Sequence, residues 1–131
     1  MDRKIVAFCL IASLFVVSGC SSVQIAPRES LNNQKLTSGP EQNIAHINAQ
    51  NWGLYCFSIP LLTGDTEKKD TIAVMKDTVN VKSVADLATR KSRELGATKS
   101  LDMVSSTNSV WIMPLFVIFY RSVEVSTNAV Q

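Results

Sequence analysis

Two stretches decide the fold: residues 83–96, SVADLATRKSRELG, and residues 116–130, FVIFYRSVEVSTNAV. In the first, Ser83 suits a helix N-cap, and Asp86 puts negative charge in the first turn, at the positive end of the helix dipole. Val84, Leu87, Ala88, Lys91 and Leu95 recur at helical spacing and make one apolar face, along which the alkyl stem of Lys91 can lie. Arg90, Lys91 and Arg93 crowd the far end, and Gly96 offers the left-handed turn that stops a helix. In the second stretch Val117, Phe119, Val123, Val125, Thr127 and Ala129 share one parity, interrupted by Arg121. That alternation predicts a strand with one mainly apolar face for the helix to cover.

Working outward, Leu101 and Met103 alternate with Asp102 and Val104, which predicts another strand over residues 98–107. Residues 52–62, WGLYCFSIPLL, read as a mostly buried strand, with Pro60 marking its end or an edge position. Residues 63–70 are a polar, charged loop, and residues 71–75, TIAVM, fit a short strand. The expected architecture is α+β: a small antiparallel sheet of three to four strands covered by one helix, spanning residues 51–131. Residues 20–50 are rich in Ser, Asn, Gln and Pro, without sustained period, and read as a flexible tether. The alternative is that Ile44, Ala45 and Ile47 add a short turn or edge strand to the domain.

A chain of 131 residues holds one domain. It carries 13 Lys and Arg against 11 Asp and Glu, too even a balance for a nucleic-acid binder. The single His and three Cys are too few for a zinc site or a disulfide scaffold.

The N-terminus has a different character. Arg3 and Lys4 precede an uncharged apolar run of thirteen residues, Ile5 to Val17. As a helix that run reaches roughly 20 Å, short of a hydrocarbon core of about 30 Å, so it reads as an export signal and not a membrane span. Val17-Ser18-Gly19-Cys20 then resembles the lipobox of bacterial lipoproteins. The resemblance implies that signal peptidase recognises Val17, Ser18 and Gly19, removes residues 1–19, and leaves Cys20 as an acylated N-terminus. Its acyl chains (palmitate among them) would anchor the chain to a membrane, stably once there are two or more. Ser21 after the Cys resembles the outer-membrane sorting class, which implies an outer-membrane protein facing the periplasm. Loss of Arg3, Lys4 and Asp2 would leave 11 basic and 10 acidic residues. Residues 85–98 and the closing Ser126-Thr127-Asn128-Ala129-Val130 are also similar to small outer-membrane lipoproteins of Gram-negative bacteria.

Little in the sequence promises chemistry. His46 stands in the expected tether with no second ligand at metal spacing, and no catalytic triad can be built around it. Asp65, Glu67 and Asp70 alternate with Lys68 and Lys69 as in a solvated loop. Arg90, Lys91 and Arg93 read as helix-end charge before a phosphate site. Cys56, in an apolar stretch, reads as a small buried hydrophobe or, alternatively, an intermolecular disulfide.

The notable stretch is residues 110–120, VWIMPLFVIFY, eleven residues without a charge. It is a buried hairpin tip folded over the sheet, an exposed contact for a partner or second copy, or a loop entering the membrane surface. Trp111, Ile112, Met113, Leu115 and Phe116 are its candidate contact residues. The sequence therefore predicts a non-enzymatic, cofactor-free envelope protein acting as a structural or accessory subunit. Its partners would be the membrane and an envelope protein or another copy, with no nucleic acid. A periplasmic ligand-binding or sensing module is the alternative.

Overall fold

A computed structural model describes residues 21–32, 34–37, 39–68, 71–112 and 117–131. The protein is α+β, with one antiparallel sheet and one long helix among the described residues. The elements are β1 (Ser21–Pro27), a single 3-10 turn (Arg28–Leu31), β2 (Asn43–Cys56), β3 (Ile59–Gly64), β4 (Ile72–Val74), α1 (Val81–Glu94), β5 (Lys99–Trp111) and β6 (Ile118–Val130). The sheet has six strands, ordered β4-β3-β2-β6-β5, with β1 also paired to β2. It is thus larger than the three or four strands expected.

The added strands come from the region expected to be a tether. β2 alternates buried and half-buried residues over its full 14 residues, beginning at Asn43. Its helix-side residues include Ala45, Ile47 and Ala49, all essentially buried. The period of two was present in A-H-I-N-A-Q, but two of its three apolar members are alanines and contribute little hydrophobicity. β1 pairs with this half of β2 from Ser21 opposite Asn51 to Pro27 opposite Ala45. Residues 21–27 and 43–50 are therefore part of the domain, and β2 is a central strand, not an edge.

Residues 52–62 form a hairpin and not one strand. Cys56 pairs with Ile59 across a turn at Phe57 and Ser58, and Phe57 adopts a left-handed φ of 53°. Pro60 lies inside β3, opposite Tyr55, where the register shifts between Leu54 and Tyr55. A bulge is where a strand tolerates the missing N–H of proline. β1 and β3 consequently share one edge of β2, end to end, and Ser21 Oγ donates to the Asp65 carbonyl at 2.9 Å across their junction.

The core lies between the sheet and α1. Ile47, Ala49, Tyr55, Val79, Val84, Ala88, Val123, Val125 and Ala129 form it, with Phe119 and Leu87 packed against it. Each fully buried Val or Ile side chain contributes about 1.5–3 kcal/mol. The parity read in residues 117–129 holds, since Val123, Val125, Thr127 and Ala129 are buried under the helix. The helix begins earlier than expected. Asn80, not Ser83, is the N-cap, and its side chain accepts from the Ser83 N–H at 2.9 Å. Gly96 takes φ 84° and ends the helix as expected. Gly53 is required by space: a Cβ there would lie 2.8 Å from Thr63 Cγ2, 2.9 Å from the Leu62 carbonyl oxygen and 3.0 Å from Val79 Cγ2.

Buried polar groups lock the β2–β3 hairpin to the segment entering α1. Asn51 Nδ2 donates to the Gly64 and Thr78 carbonyls at 3.1 and 3.0 Å. Thr63 Oγ1 donates to the Lys76 carbonyl at 2.6 Å. Tyr55 donates its phenol proton to Asp77 Oδ1 at 2.7 Å. Burial first, then the hydrogen bond and the negative charge of Asp77, raise the Tyr55 phenol well above its ordinary value, and Arg121 opposes this in part.

Candidate functional site

α1 covers one face of the sheet, and among the described residues no helix lies on the other. Cross-strand register assigns the residues of that open face. Leu54 lies opposite Leu62 on β3 and Tyr120 on β6; Leu62 lies opposite Val74, and Tyr120 opposite Val110. Val74, Leu62, Leu54, Tyr120 and Val110 thus form one apolar row across β4, β3, β2, β6 and β5. Toward the hairpin tips Ile59, Cys56 and Ile118 form a second row, and Ile112 joins it by donating its N–H to the Ile118 carbonyl at 3.1 Å. Below the first row Trp52 packs on Tyr120, ring centroids 5.5 Å apart. Val74, Val110, Ile59 and Ile112 are exposed.

The other half of the open face is polar. Asn48 Nδ2 donates to Glu124 Oε1 at 2.5 Å. Asn128 Nδ2 donates to the Leu36 carbonyl at 3.3 Å and to Asp102 Oδ2 at 3.1 Å, which leaves its Oδ1 to accept from His46 Nδ1 at 2.7 Å. His46 Nε2 then faces Ser126 Oγ at 3.4 Å. The expectation that His46 stands in a tether is corrected: the residue is half-buried in a central strand, held by two neighbours. No group of His, Cys, Asp and Glu among the described residues could hold a metal ion.

The apolar half continues around the end of the sheet. Phe57 is 63% exposed, Met75 71% and Trp111 59%. Phe57 reaches the β5–β6 end by donating its N–H to the Val117 carbonyl at 2.9 Å. On the helix side Trp111 packs on Phe119 at 5.4 Å, and Phe119 stacks on Tyr55 at 5.3 Å. An aromatic row therefore runs from the core out to the exposed Trp111. Monomeric proteins seldom leave contiguous apolar surface of this kind, and where they do it marks a contact site.

Of the residues singled out in the sequence, Trp111 and Ile112 are exposed at this end, so the described part of 110–120 does not fold over the sheet. Met113, Leu115 and Phe116 lie outside the described residues, as do Val17, Ser18, Gly19 and Cys20. Cys56 is half-buried on the open face with a free thiol, not deep in the core. Leu54, Leu62 and Val74 were not foreseen as site residues, whereas Tyr120 closes the uncharged 110–120 stretch. Each strand supplies one residue, so no local run of sequence carries the pattern.

A second feature lies between β1 and α1. A groove of about 430 Å³ is lined by Val23, Ile25, Leu87 and Leu95, with Arg90 and Lys91 on its wall. Its cations are already engaged: Arg90 donates to the Thr66 carbonyl, and Lys91 pairs with Glu94 at 2.5 Å. No helix among the described residues is long and apolar enough to cross a membrane. In comparisons with known proteins, no family model, no curated protein and no solved structure matches the chain.

Proposed function

We propose that the protein is a lipid-anchored envelope lipoprotein, acylated at Cys20, that acts as a non-enzymatic structural or accessory subunit through its uncovered apolar surface. The observation that carries the contact role is the apolar row of Val74, Leu62, Leu54, Tyr120 and Val110, continuous across five strands on the face opposite α1. Support for the anchor is the lipobox-like Val17-Ser18-Gly19-Cys20, followed at once by β1. Because Ser21 is already in the sheet, acylation at Cys20 would join the lipid to the domain through a single residue. The outer membrane, periplasmic side, is the address we assign from Ser21 in that pattern.

Two measurements test this. Intact-mass analysis of the protein from native membranes should find residues 1–19 removed and acyl chains on Cys20; a bare Cys20 or a retained leader refutes the anchor. Trp111→Ala with Ile112→Ser removes the Trp111–Phe119 contact and should cost about 0.5–1.5 kcal/mol while the protein stays folded. The same variant should lose cross-links formed in membranes by a photoreactive residue at Val110. Unchanged cross-links in the folded variant refute the contact role.

A second reading, a periplasmic ligand-binding or sensing module, is favoured by the groove between β1 and α1, whose volume falls within the range of small-molecule sites.

A further inference from the structure

Among the described residues β5 is the last strand of the sheet on its side and pairs only with β6. From Met103 to Trp111 every residue is exposed. No hydrogen bond from another element closes the outward backbone groups from Val104 to Trp111 among the described residues. Proteins usually protect such an edge with charge, proline or brevity. The opposite side of the sheet is divided between β4, which has three residues, and β1, which has seven and ends in Pro27. β5 has no such protection: it has 13, and its exposed run MVSSTNSVW holds no charge and no proline. A register shift between Leu101 and Val104 marks where this regular edge begins.

The order of residues in that run is itself informative. Folded about Thr107, the run matches its own reverse in chemistry: Met103 falls opposite Trp111, Val104 opposite Val110, Ser105 opposite Ser109, and Ser106 opposite Asn108. Apolar meets apolar at both ends, and hydroxyl or amide meets hydroxyl or amide in the middle. The parity is right as well. Val104, Ser106, Asn108 and Val110 lie on the open face, opposite Ser126, Glu124, Ser122 and Tyr120 of β6. An antiparallel pair about Thr107 sets even-numbered residues against even-numbered ones, so both open faces stay on one side and both helices on the other.

We propose that β5 pairs with β5 of a second copy of this chain, antiparallel about a two-fold axis through Thr107, to form one continuous twelve-stranded sheet. A two-fold contact demands a self-complementary surface, and the 103–111 run supplies one. The contact is the edge of one strand, nine residues and roughly 30 Å long at about 3.4 Å per residue. It buries less than a standard interface of about 1,600 Å², so the dimer dissociates on dilution. Confinement of both copies to one membrane raises their effective concentration and favours it. The pairing itself needs no lipid and stands apart from the acylation of Cys20.

The test is disulfide trapping in the full chain carrying Cys56→Ser, with that parent as control. Opposed residues of antiparallel strands have Cα atoms about 4.5–5.5 Å apart, within disulfide reach. Thr107→Cys should give a covalent dimer on mild oxidation. Ser105→Cys and Ser109→Cys should cross-link when mixed, and each alone should give at least tenfold less. Thr107→Lys sets two ammonium groups against each other and should lower the dimer fraction by more than tenfold in native mass spectrometry, with the circular dichroism spectrum retained. The proposal is overturned if folded Thr107→Cys protein yields no more dimer than the parent, or if Ser105→Cys alone traps as well as the mixture. It is also overturned if the dimer survives Thr107→Lys. A dimer lost in Trp111→Ala with Ile112→Ser but kept in Thr107→Lys would place the contact on the apolar end and not on the β5 edge.

Discussion

Gly53→Ala isolates the close approach that sets the β2–β3 hairpin against the entry to α1. Two effects oppose each other. Gly53 does not need a left-handed backbone, so alanine would stabilise by about 0.4–1 kcal/mol through reduced freedom of the unfolded chain. Against this, the new Cβ meets Thr63 Cγ2 at 2.8 Å, the Leu62 carbonyl oxygen at 2.9 Å and Val79 Cγ2 at 3.0 Å. Two of these are methyl groups of buried β-branched residues with little rotational freedom. The third is backbone in a paired strand and cannot rotate away. Overpacking of this sort costs about 1–3 kcal/mol, here toward the upper end. The net expectation is a loss of about 1–2 kcal/mol, and with it a melting temperature lower by roughly 5–15 °C. Thermal and urea denaturation followed by circular dichroism measure it. Adding Thr63→Ser removes the nearest methyl and keeps the hydroxyl that bonds the Lys76 carbonyl, so the double variant should recover part of the loss. A Gly53→Ala protein as stable as the parent, or a Thr63→Ser addition that only worsens it, would refute the packing argument.

Tyr55 gives a pH dependence. Its phenol is held above the ordinary value near 10, so the folded state keeps a proton that the unfolded chain releases. The stabilisation is whole below about pH 10 and is lost as pH rises beyond it. Tyr55→Phe should therefore flatten the alkaline limb of stability against pH, read from urea midpoints at several pH values; an unchanged limb contradicts it. Asn80→Ala removes the side chain that caps α1 and should cost about 1 kcal/mol. Ser83→Ala keeps the N–H that Asn80 caps and should cost little; the reverse order in chemical denaturation would restore Ser83 as the cap.

What could be read from the chain follows the strength of each local pattern. α1 and β6 were legible because Val84, Leu87, Ala88 and Gly96, and then Val123, Val125, Thr127 and Ala129, repeat strongly at one period. The first half of β2 was missed because its helix-side residues are small. The turn at Phe57 was missed because a left-handed φ is expected of Gly or Asn and here falls on a bulky residue. Residues 98–107 were read as a strand that in fact continues to Trp111, through Asn108 and Ser109, which have low strand preference or none. The apolar surface itself was half legible. Trp111 and Ile112 stood in an uncharged run, whereas Leu54, Leu62 and Val74 become neighbours only through strand pairing.

The way β1 and β3 divide one edge of β2 has a mechanical consequence. A force applied at Ser21 enters the molecule beside Asn51, partway along β2, and not at an end of that strand. Pulled along the strand axis, β1 strains all seven of its register pairs together; pulled outward, it peels from Ser21 toward Pro27 one pair at a time. Traction on this domain from its N-terminal side is thus resisted or yielded to according to direction, as with an adhesive strip.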